Sequence, residues 1–474
     1  MNLFKKFSFF LLPTIIQTCI SLFILPFTTY ILNPDDYGVF ALLTSLVNFG
    51  TVISTMGFGY LIAAHYQLID TMEKQRLLST MTTVSIATAT VFCVFFLNLW
   101  GCICSFVHQL TSIPFAAIIL SLLTLILGIG WNIAVEIITI EGKAHLYSQA
   151  IILQSCVGMF TVLVSLYVFK LGMLSLFVSG FASAFVLCIY SIIVLSAYIR
   201  PPFYSKYWMK EIYRFGGVTV IGNIFENMQT VVERYLLSFY SGLSSLGIYV
   251  HSQQYKNFAV SVVKANARAV WPVTLVEARE TKKEFIRTKK NWDVIYLGLT
   301  IGGIFFVFFG KMIVGVLTHQ KFVAAYPFVI VWIIFIFFQN LGKPQTGIMF
   351  AYNRGILYSK FIIFSIVGSI ICMFIFVPLW GAYGVMFALI VQQVILRGLI
   401  QIFAGRIYET IFFDRWAIVG VVVMVIMAVF VHTFNTTFFL NIVSFIFFSG
   451  IVLIFEKNIV SDVINGFRHR LKTD

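Results

Sequence analysis

Fourteen apolar stretches of about 20 residues dominate this chain, and that length matches a bilayer's hydrocarbon core crossed by an α-helix. They lie near 8–31, 38–63, 77–99, 115–138, 148–168 and 173–198. After a basic connector the series resumes near 216–239, 246–274, 293–317, 327–350, 358–377, 383–404, 415–432 and 438–455. Lipid offers the backbone no water, so segments of this kind must satisfy their own hydrogen bonds as helices. Composition removes the soluble alternative. Of the 474 residues 60% are hydrophobic and 11% charged, against roughly 25% charged in a soluble domain. The expected fold is all-α and integral to a membrane.

Orientation follows from the basic residues, because cationic loops stay on the cytoplasmic side. Alternate loops carry Lys5 and Lys6; Lys74 and Arg76; Lys143; Arg200, Lys206, Lys210 and Arg214; and a run from Arg279 to Lys290. The alternation continues through Arg354 and Lys360, then Arg406 and Arg415, to a tail with Lys457, Arg468, Arg470 and Lys472. The other side holds Lys170, Lys311 and Lys321. A missed or extra span would put every later basic loop on the wrong side, and the pattern never slips. Both termini are expected in the cytoplasm. The net charge of +14 reads as a topology signal and an attraction to anionic lipid headgroups, with no call for nucleic acid. The basic start of the first run resembles a signal peptide, but no small-residue cleavage site follows, so it reads as a retained helix.

A repeat of six spans runs through the chain. Gly38 in Tyr37-Gly38-Val39-Phe40 and Gly247 in Leu246-Gly247-Ile248-Tyr249 are 209 residues apart, as are Gly172 and Gly381 in two other turns. Leu146-Tyr147-Ser148 and Leu357-Tyr358-Ser359 are 211 apart. Short glycine turns are common singly, but these share nearly one offset. An even number of spans per unit makes the halves parallel, related by an axis along the membrane normal, which is a transporter arrangement. The expected division is a lobe over 1–200, a second over 211–411, and two further spans with a basic tail over 412–474.

Ionisable groups within the spans mark where lipid is not the neighbour, since each costs at least about 2.5 kcal/mol in mid-membrane. In the seventh span Thr219, Asn223, Glu226, Thr230 and Glu233 fall within about 80° of one helix face. In the eighth, Tyr249, Gln253, Lys256, Lys264 and Arg268 form another stripe. Smaller ones are Gln339, Lys343 and Thr346; Gln393, Arg397 and Gln401; Asn132 with Glu136; and Thr14, Gln17 and Ser21. A hydrated cavity with a cationic wall suits a phosphate-bearing substrate, Arg gripping phosphate oxygens in pairs and Lys acting as a point charge. The candidate substrate-binding residues are Lys256, Lys264, Arg268, Arg234, Lys343, Arg397, Asn223, Gln253 and Tyr249. The alternative is structural pairing of Glu226 and Glu233 with Lys264, Arg268 or Arg234. Glu226, Glu233 and Glu136 are candidates to carry a coupling proton or sodium ion, since desolvation raises a carboxyl pKa. No other cofactor is implied. Five of the seven cysteines lie in apolar runs as small hydrophobes, and Cys102 with Cys104 lacks the partner pair of a metal site.

The opening from Phe27 to Leu46, with Asn33-Pro34-Asp35-Asp36-Tyr37-Gly38, and the segment from Glu233-Arg234 through Leu246-Gly247-Ile248-Tyr249 to Trp271-Pro272 resemble the polysaccharide flippase family. These are the Wzx-type O-antigen and exopolysaccharide exporters within the multidrug and oligosaccharidyl-lipid exporter superfamily. Many members place Asp where this chain has Glu233. The resemblance implies a two-lobed bundle in a bacterial inner membrane that carries an undecaprenyl-pyrophosphate-linked oligosaccharide between leaflets, with membrane lipids, a polysaccharide polymerase and chain-length proteins as partners. A lipid II or teichoic acid precursor flippase, or a multidrug or cation antiporter, are alternatives within the superfamily. A membrane polysaccharide polymerase fits less well, because the outward loop from Gly101 to Pro114 contains no carboxylate to serve glycosyl chemistry.

Overall fold

A computed structural model describes the chain except residues 1–2, 56–57, 67, 107–112, 202–203, 281–285, 353, 408–414, 435–437 and 456–474, and except some side chains within helices. The described residues are helical and contain no strand. They form α1 (Leu3–Ile31), α2 (Pro34–Thr55), α3 (Phe58–His65), α4 (Thr71–Phe106), α5 (Phe115–Ile140), α6 (Ala144–Tyr167), α7 (Leu174–Leu195) and α8 (Lys206–Glu280). Then come α9 (Ile286–Leu317), α10 (Tyr326–Asn340), α11 (Lys343–Ala351), α12 (Gly355–Trp380), α13 (Ala382–Ile407), α14 (Arg415–Phe434) and α15 (Phe438–Phe455).

Among the described residues nine helical stretches are long and apolar enough to cross a membrane, and shorter apolar helices lie within α1, α14 and α15. The other two expected spans are the limbs of α8, which carry too many charges to count by apolarity alone. Gly242 separates them at φ +84, ψ 167, a backbone shape open to glycine. The span expected over 327–350 is not continuous. It breaks after Asn340, where Leu341 turns extended at ψ 124 and Gly342 takes φ +69. Part of the Arg279 to Lys290 run lies outside the described residues.

Two compact units can be distinguished, Met1–Val250 with Ile370–Val385, and His251–Ser369 with Met386–Asp474. In the first unit α7 packs along both α5 and α6, and α6 along α1. Small residues allow this close approach without a hydrophobic driving force between helices. Gly130 faces Ser191, and Gly158 faces Ser179 and Ser183, with Ser179 donating to the Gly158 carbonyl at 2.9 Å. In the second unit α9 takes α14 on one side, Gly303 against Met424, and meets α15 through Phe305 and Phe309 on Phe445. Phe160, Phe364, Val422 and Phe447 are exposed, as a lipid-facing surface requires.

Chain reversals have local causes. Pro34 opens α2 at the position where its missing N–H costs nothing, and Asp36 reaches back to accept from the Asn33 N–H at 2.8 Å. Asp70 likewise accepts from the Glu73 N–H at 2.8 Å at the start of α4.

The basic-loop end of the first unit is tied by a polar cluster. Glu141, just past α5, accepts from the hydroxyls of Tyr66 at 2.5 Å and Tyr198 at 2.7 Å and pairs with Lys143 at 2.7 Å. Lys74 sits 4.7 Å over the Tyr66 ring. Ser79 donates to the carbonyls of Tyr198 and Arg200, and Trp208 donates to Glu73 at 2.8 Å. Trp208 and Ile212 enter the same apolar core as Tyr66, Ile138 and Leu195. The connector from Tyr198 to Trp208 is thus bonded down onto α4.

Burial alone pushes the Glu141 carboxyl up, but the bonds from Lys143, Tyr66 and Tyr198 outweigh it and hold the group below the usual carboxylate range. Burial and the neighbouring carboxylate push the Tyr66 hydroxyl well up, so it stays a donor. Glu141→Ala removes the shared acceptor of the two tyrosine hydroxyls, which keep only each other at 2.9 Å, and lowers stability by about 1–3 kcal/mol, measured as a fall in the unfolding midpoint of the purified protein in detergent. The part of the Glu141 contribution that rests on its charge is complete above roughly pH 4.3 and is lost as pH falls through the lowered folded value; a midpoint difference between wild type and variant that does not narrow as the pH is lowered contradicts this.

Candidate functional site

The repeat glycines do not merely end helices. A Cβ at Gly38 would strike the carbonyl of Leu243, and one at Gly247 would strike the carbonyl of Pro34. Pro34 and Leu243 are themselves 209 residues apart, like Gly38 and Gly247. The contact therefore exchanges into itself when the repeats are swapped, which is what a twofold relation between them demands. Gly172 and Gly381 complete the match with φ of +54 at both. The start of α2 and the start of the second limb of α8 meet backbone to backbone, at the end opposite the basic loops.

One turn along α2 from this seam, Arg234 on the first limb of α8 donates to the carbonyl of Ala41 at 2.5 Å and to the Thr44 hydroxyl at 3.2 Å. Both acceptors are neutral. Its buried Nε has no hydrogen-bond partner among the described residues. Glu233, 5% exposed, is turned to the other limb of α8, where the Tyr249 hydroxyl donates to it at 2.7 Å. The first repeat ties its own helix pair in a neutral way, Tyr37 donating to Thr28 at 2.7 Å. The stripe expected on the seventh span thus divides. Glu233 is buried, Glu226 is exposed, Asn223 is half-buried with its carbonyl accepting from Asn227, and the Thr219 side chain lies outside the described set. Glu136 on α5 is half-buried and its stripe neighbour Asn132 is exposed.

In the second unit Lys256 places its ammonium 3.9 Å from the centroid of the Trp332 ring and 6.0 Å from that of Phe335. Ser252, one turn earlier, fixes the indole by accepting from its N–H at 2.9 Å. A desolvated cation on an indole face is stabilised by about 2 kcal/mol. Gln253 is half-buried and Lys264 exposed, while the side chains of Arg268 and Lys343 lie outside the described set. Arg397, 8% exposed on α13, donates to the Thr346 hydroxyl at 3.2 Å and to the Gln339 carbonyl. It braces the break between α10 and α11 from one side. From the other, the Tyr296 hydroxyl on α9 donates to the Asn340 carbonyl at 2.7 Å.

The structure so brings Arg234 to Ala41 and Thr44, Tyr249 to Glu233, and Arg397 to the α10 break. Thr44, Trp332 and Tyr296 belong to this set and carry no signal in the sequence, each being one small hydroxyl or aromatic residue among many in an apolar run. Among the described residues no three His, Cys, Asp or Glu side chains gather as a metal site. Tyr296→Phe leaves the Asn340 carbonyl without its donor in an apolar surround. The expected loss is about 1–3 kcal/mol of stability with the ring packing kept, read as a lower unfolding midpoint in detergent.

The fold is that of transporters of the multidrug and oligosaccharidyl-lipid exporter (MOP) superfamily. The lipid II flippase MurJ in an inward closed conformation superposes with TM-score 0.68 at 14% identity, covering 97% of this chain and 100% of that one. An inward-facing multidrug resistance MATE family transporter gives TM-score 0.61 at 15% identity, covering 82% and 94%. A MOP superfamily transporter from Pyrococcus furiosus, described as having a binding pocket of reverse polarity, gives 0.51 at 12% identity, covering 86% and 97%. No curated protein matches the chain in sequence. The model of the polysaccharide biosynthesis protein family matches residues 29–327, and the chain belongs to that family.

Proposed function

We propose that this protein is a flippase that moves a polyprenyl-pyrophosphate-linked oligosaccharide repeat unit from the inner to the outer leaflet of a bacterial cytoplasmic membrane. The product serves a surface polysaccharide such as O-antigen, capsule or exopolysaccharide. Its basic loops and both termini face the cytoplasm, and lobes at 1–200 and 211–411 alternate in access, with 412–474 appended. A polymerase and chain-length proteins take over the product outside. The observation that carries the reading is the pair of intramembrane arginines, half-buried Arg234 and buried Arg397, each donating to neutral oxygens inside membrane-spanning helices. Retaining guanidinium charge there is costly, and an anionic headgroup is the cargo that makes use of it. Lys256, Lys264, Arg268 and Lys343 add positive charge, while Asn223, Gln253 and Tyr249 offer hydrogen bonds to sugars.

A second reading, a lipid II flippase, is favoured by the end-to-end likeness to MurJ. It differs in the sugar rather than in the phosphate chemistry. Transfer of labelled undecaprenyl-pyrophosphate oligosaccharide between leaflets of proteoliposomes, run beside lipid II, separates the two. Wild type is expected to transfer the oligosaccharide, and Arg397→Gln to slow it about tenfold or more, as loss of a charge-assisted bond implies. Lys264→Ala and Arg268→Ala, made singly, are expected to slow it as well. Folded wild type that transfers only lipid II, or neither, sinks the main reading. A proton or sodium gradient drives the step through Glu136, Glu226 or Glu233, and the alanine variant of the coupling residue loses gradient dependence. Full dependence kept in all three variants removes them from that role.

A further inference from the structure

Cargo leaving on the side opposite the basic loops cannot pass while backbone touches backbone at Gly38 and Leu243 and at Gly247 and Pro34. The seam must part. Arg234 is the charged group that bridges it, anchored one turn deeper on the Ala41 carbonyl and the Thr44 hydroxyl of α2. The neighbouring carboxylate Glu233 acts on Arg234 electrostatically while accepting from Tyr249 on the other limb of α8, and Arg234 Nε is buried with no hydrogen-bond partner among the described residues. A guanidinium bonds a phosphate oxygen about twice as strongly as a neutral acceptor, and in pairs. A phosphate reaching Arg234 therefore outcompetes Ala41 and Thr44, and each bond it takes is one removed from the hold of α8 on α2.

We propose that Arg234 is the residue through which arrival of a pyrophosphate headgroup parts the seam: its guanidinium exchanges the Ala41 carbonyl and Thr44 hydroxyl for phosphate oxygens and so releases α2 from α8. This rests on the lipid-pyrophosphate reading above and adds to it a position and an order of events. Binding energy from the anion is spent on opening, so the seam stays closed on an empty protein. A ligand shifts such an equilibrium only by its difference in affinity for the two states, and the exchange of acceptors at Arg234 supplies that difference.

The test uses full-length protein in liposomes with its seven cysteines replaced and new ones placed by Asp35→Cys and Ser244→Cys. Both positions are exposed and each lies one residue past a seam contact. The rate of joining the two thiols with a short bifunctional reagent reports the closed seam. Undecaprenyl pyrophosphate is expected to lower that rate about fivefold or more, the lower end of coupling between linked sites. In Arg234→Gln the same lipid changes it less than about twofold. Inorganic pyrophosphate is the second arm: the same fall with it means that the headgroup suffices, and a fall with the lipid alone means that the tail is needed to deliver it; either supports the link. Thr44→Val keeps the arginine and removes one anchor, so it slows joining without ligand and keeps the response. That variant decides the matter should Arg234→Gln fail to fold. A rate unmoved by both probes, or an equal response in Arg234→Gln, overturns the proposal. Joining that responds in a protein that transfers no oligosaccharide counts against the transport reading alone, and intact transfer with unresponsive joining counts against Arg234 alone.

Discussion

In lipid, a backbone group released by a broken helix has no water to turn to, and the interior of this protein is arranged around the places where helices break. At Gly242 the chain reverses between the limbs of α8 through a φ of +84. At Leu341 and Gly342 the break leaves carbonyls of α10 that are met by Tyr296 from α9 and by Arg397 from α13. Side chains from separate helices thus stand in for the missing turn, which is how irregular backbone survives at membrane depth.

Charge is handled differently at the two levels of the molecule. At the basic-loop end Glu141 gathers Tyr66, Tyr198 and Lys143, and Glu73 gathers Arg76 and Trp208. There, carboxylates neutralise cations and bind loops into one block. Within the spans Arg234 rests on neutral oxygens and Lys256 on an indole face. These partners lower the cost of holding a cation within the spans.

The two repeats agree in backbone and differ in side chains. The reciprocal glycine seam and the matched turns at Gly172 and Gly381 are symmetric. The polar ties are not. Tyr37 with Thr28 in the first repeat has Leu246 and Leu237 at the equivalent positions of the second, and Glu233, Arg234 and Tyr249 stand where the first has Ile24, Leu25 and Phe40. A shared frame carries a charged apparatus in one repeat and an apolar counterpart in the other.

Span number and the repeat were legible because hydrophobic length and glycine spacing are set by bilayer thickness and turn geometry acting on local sequence. The break in the tenth span had a local signal, Gly342 and Pro344 within the polar stretch from Gln339 to Gln345, but hydropathy reads through it and does not register which carbonyls are satisfied from other helices. The direction of Arg234 was not legible, since helical periodicity places it beside the polar stripe but cannot aim it. The sequence by itself determined that this chain crosses a membrane as a duplicated helical bundle rich in intramembrane cations. Only the tertiary structure decided that Arg234 reaches Ala41 and Thr44, that Lys256 covers Trp332 and that Arg397 braces a broken helix, because those partners lie far apart in the chain and meet through packing rather than through any local pattern.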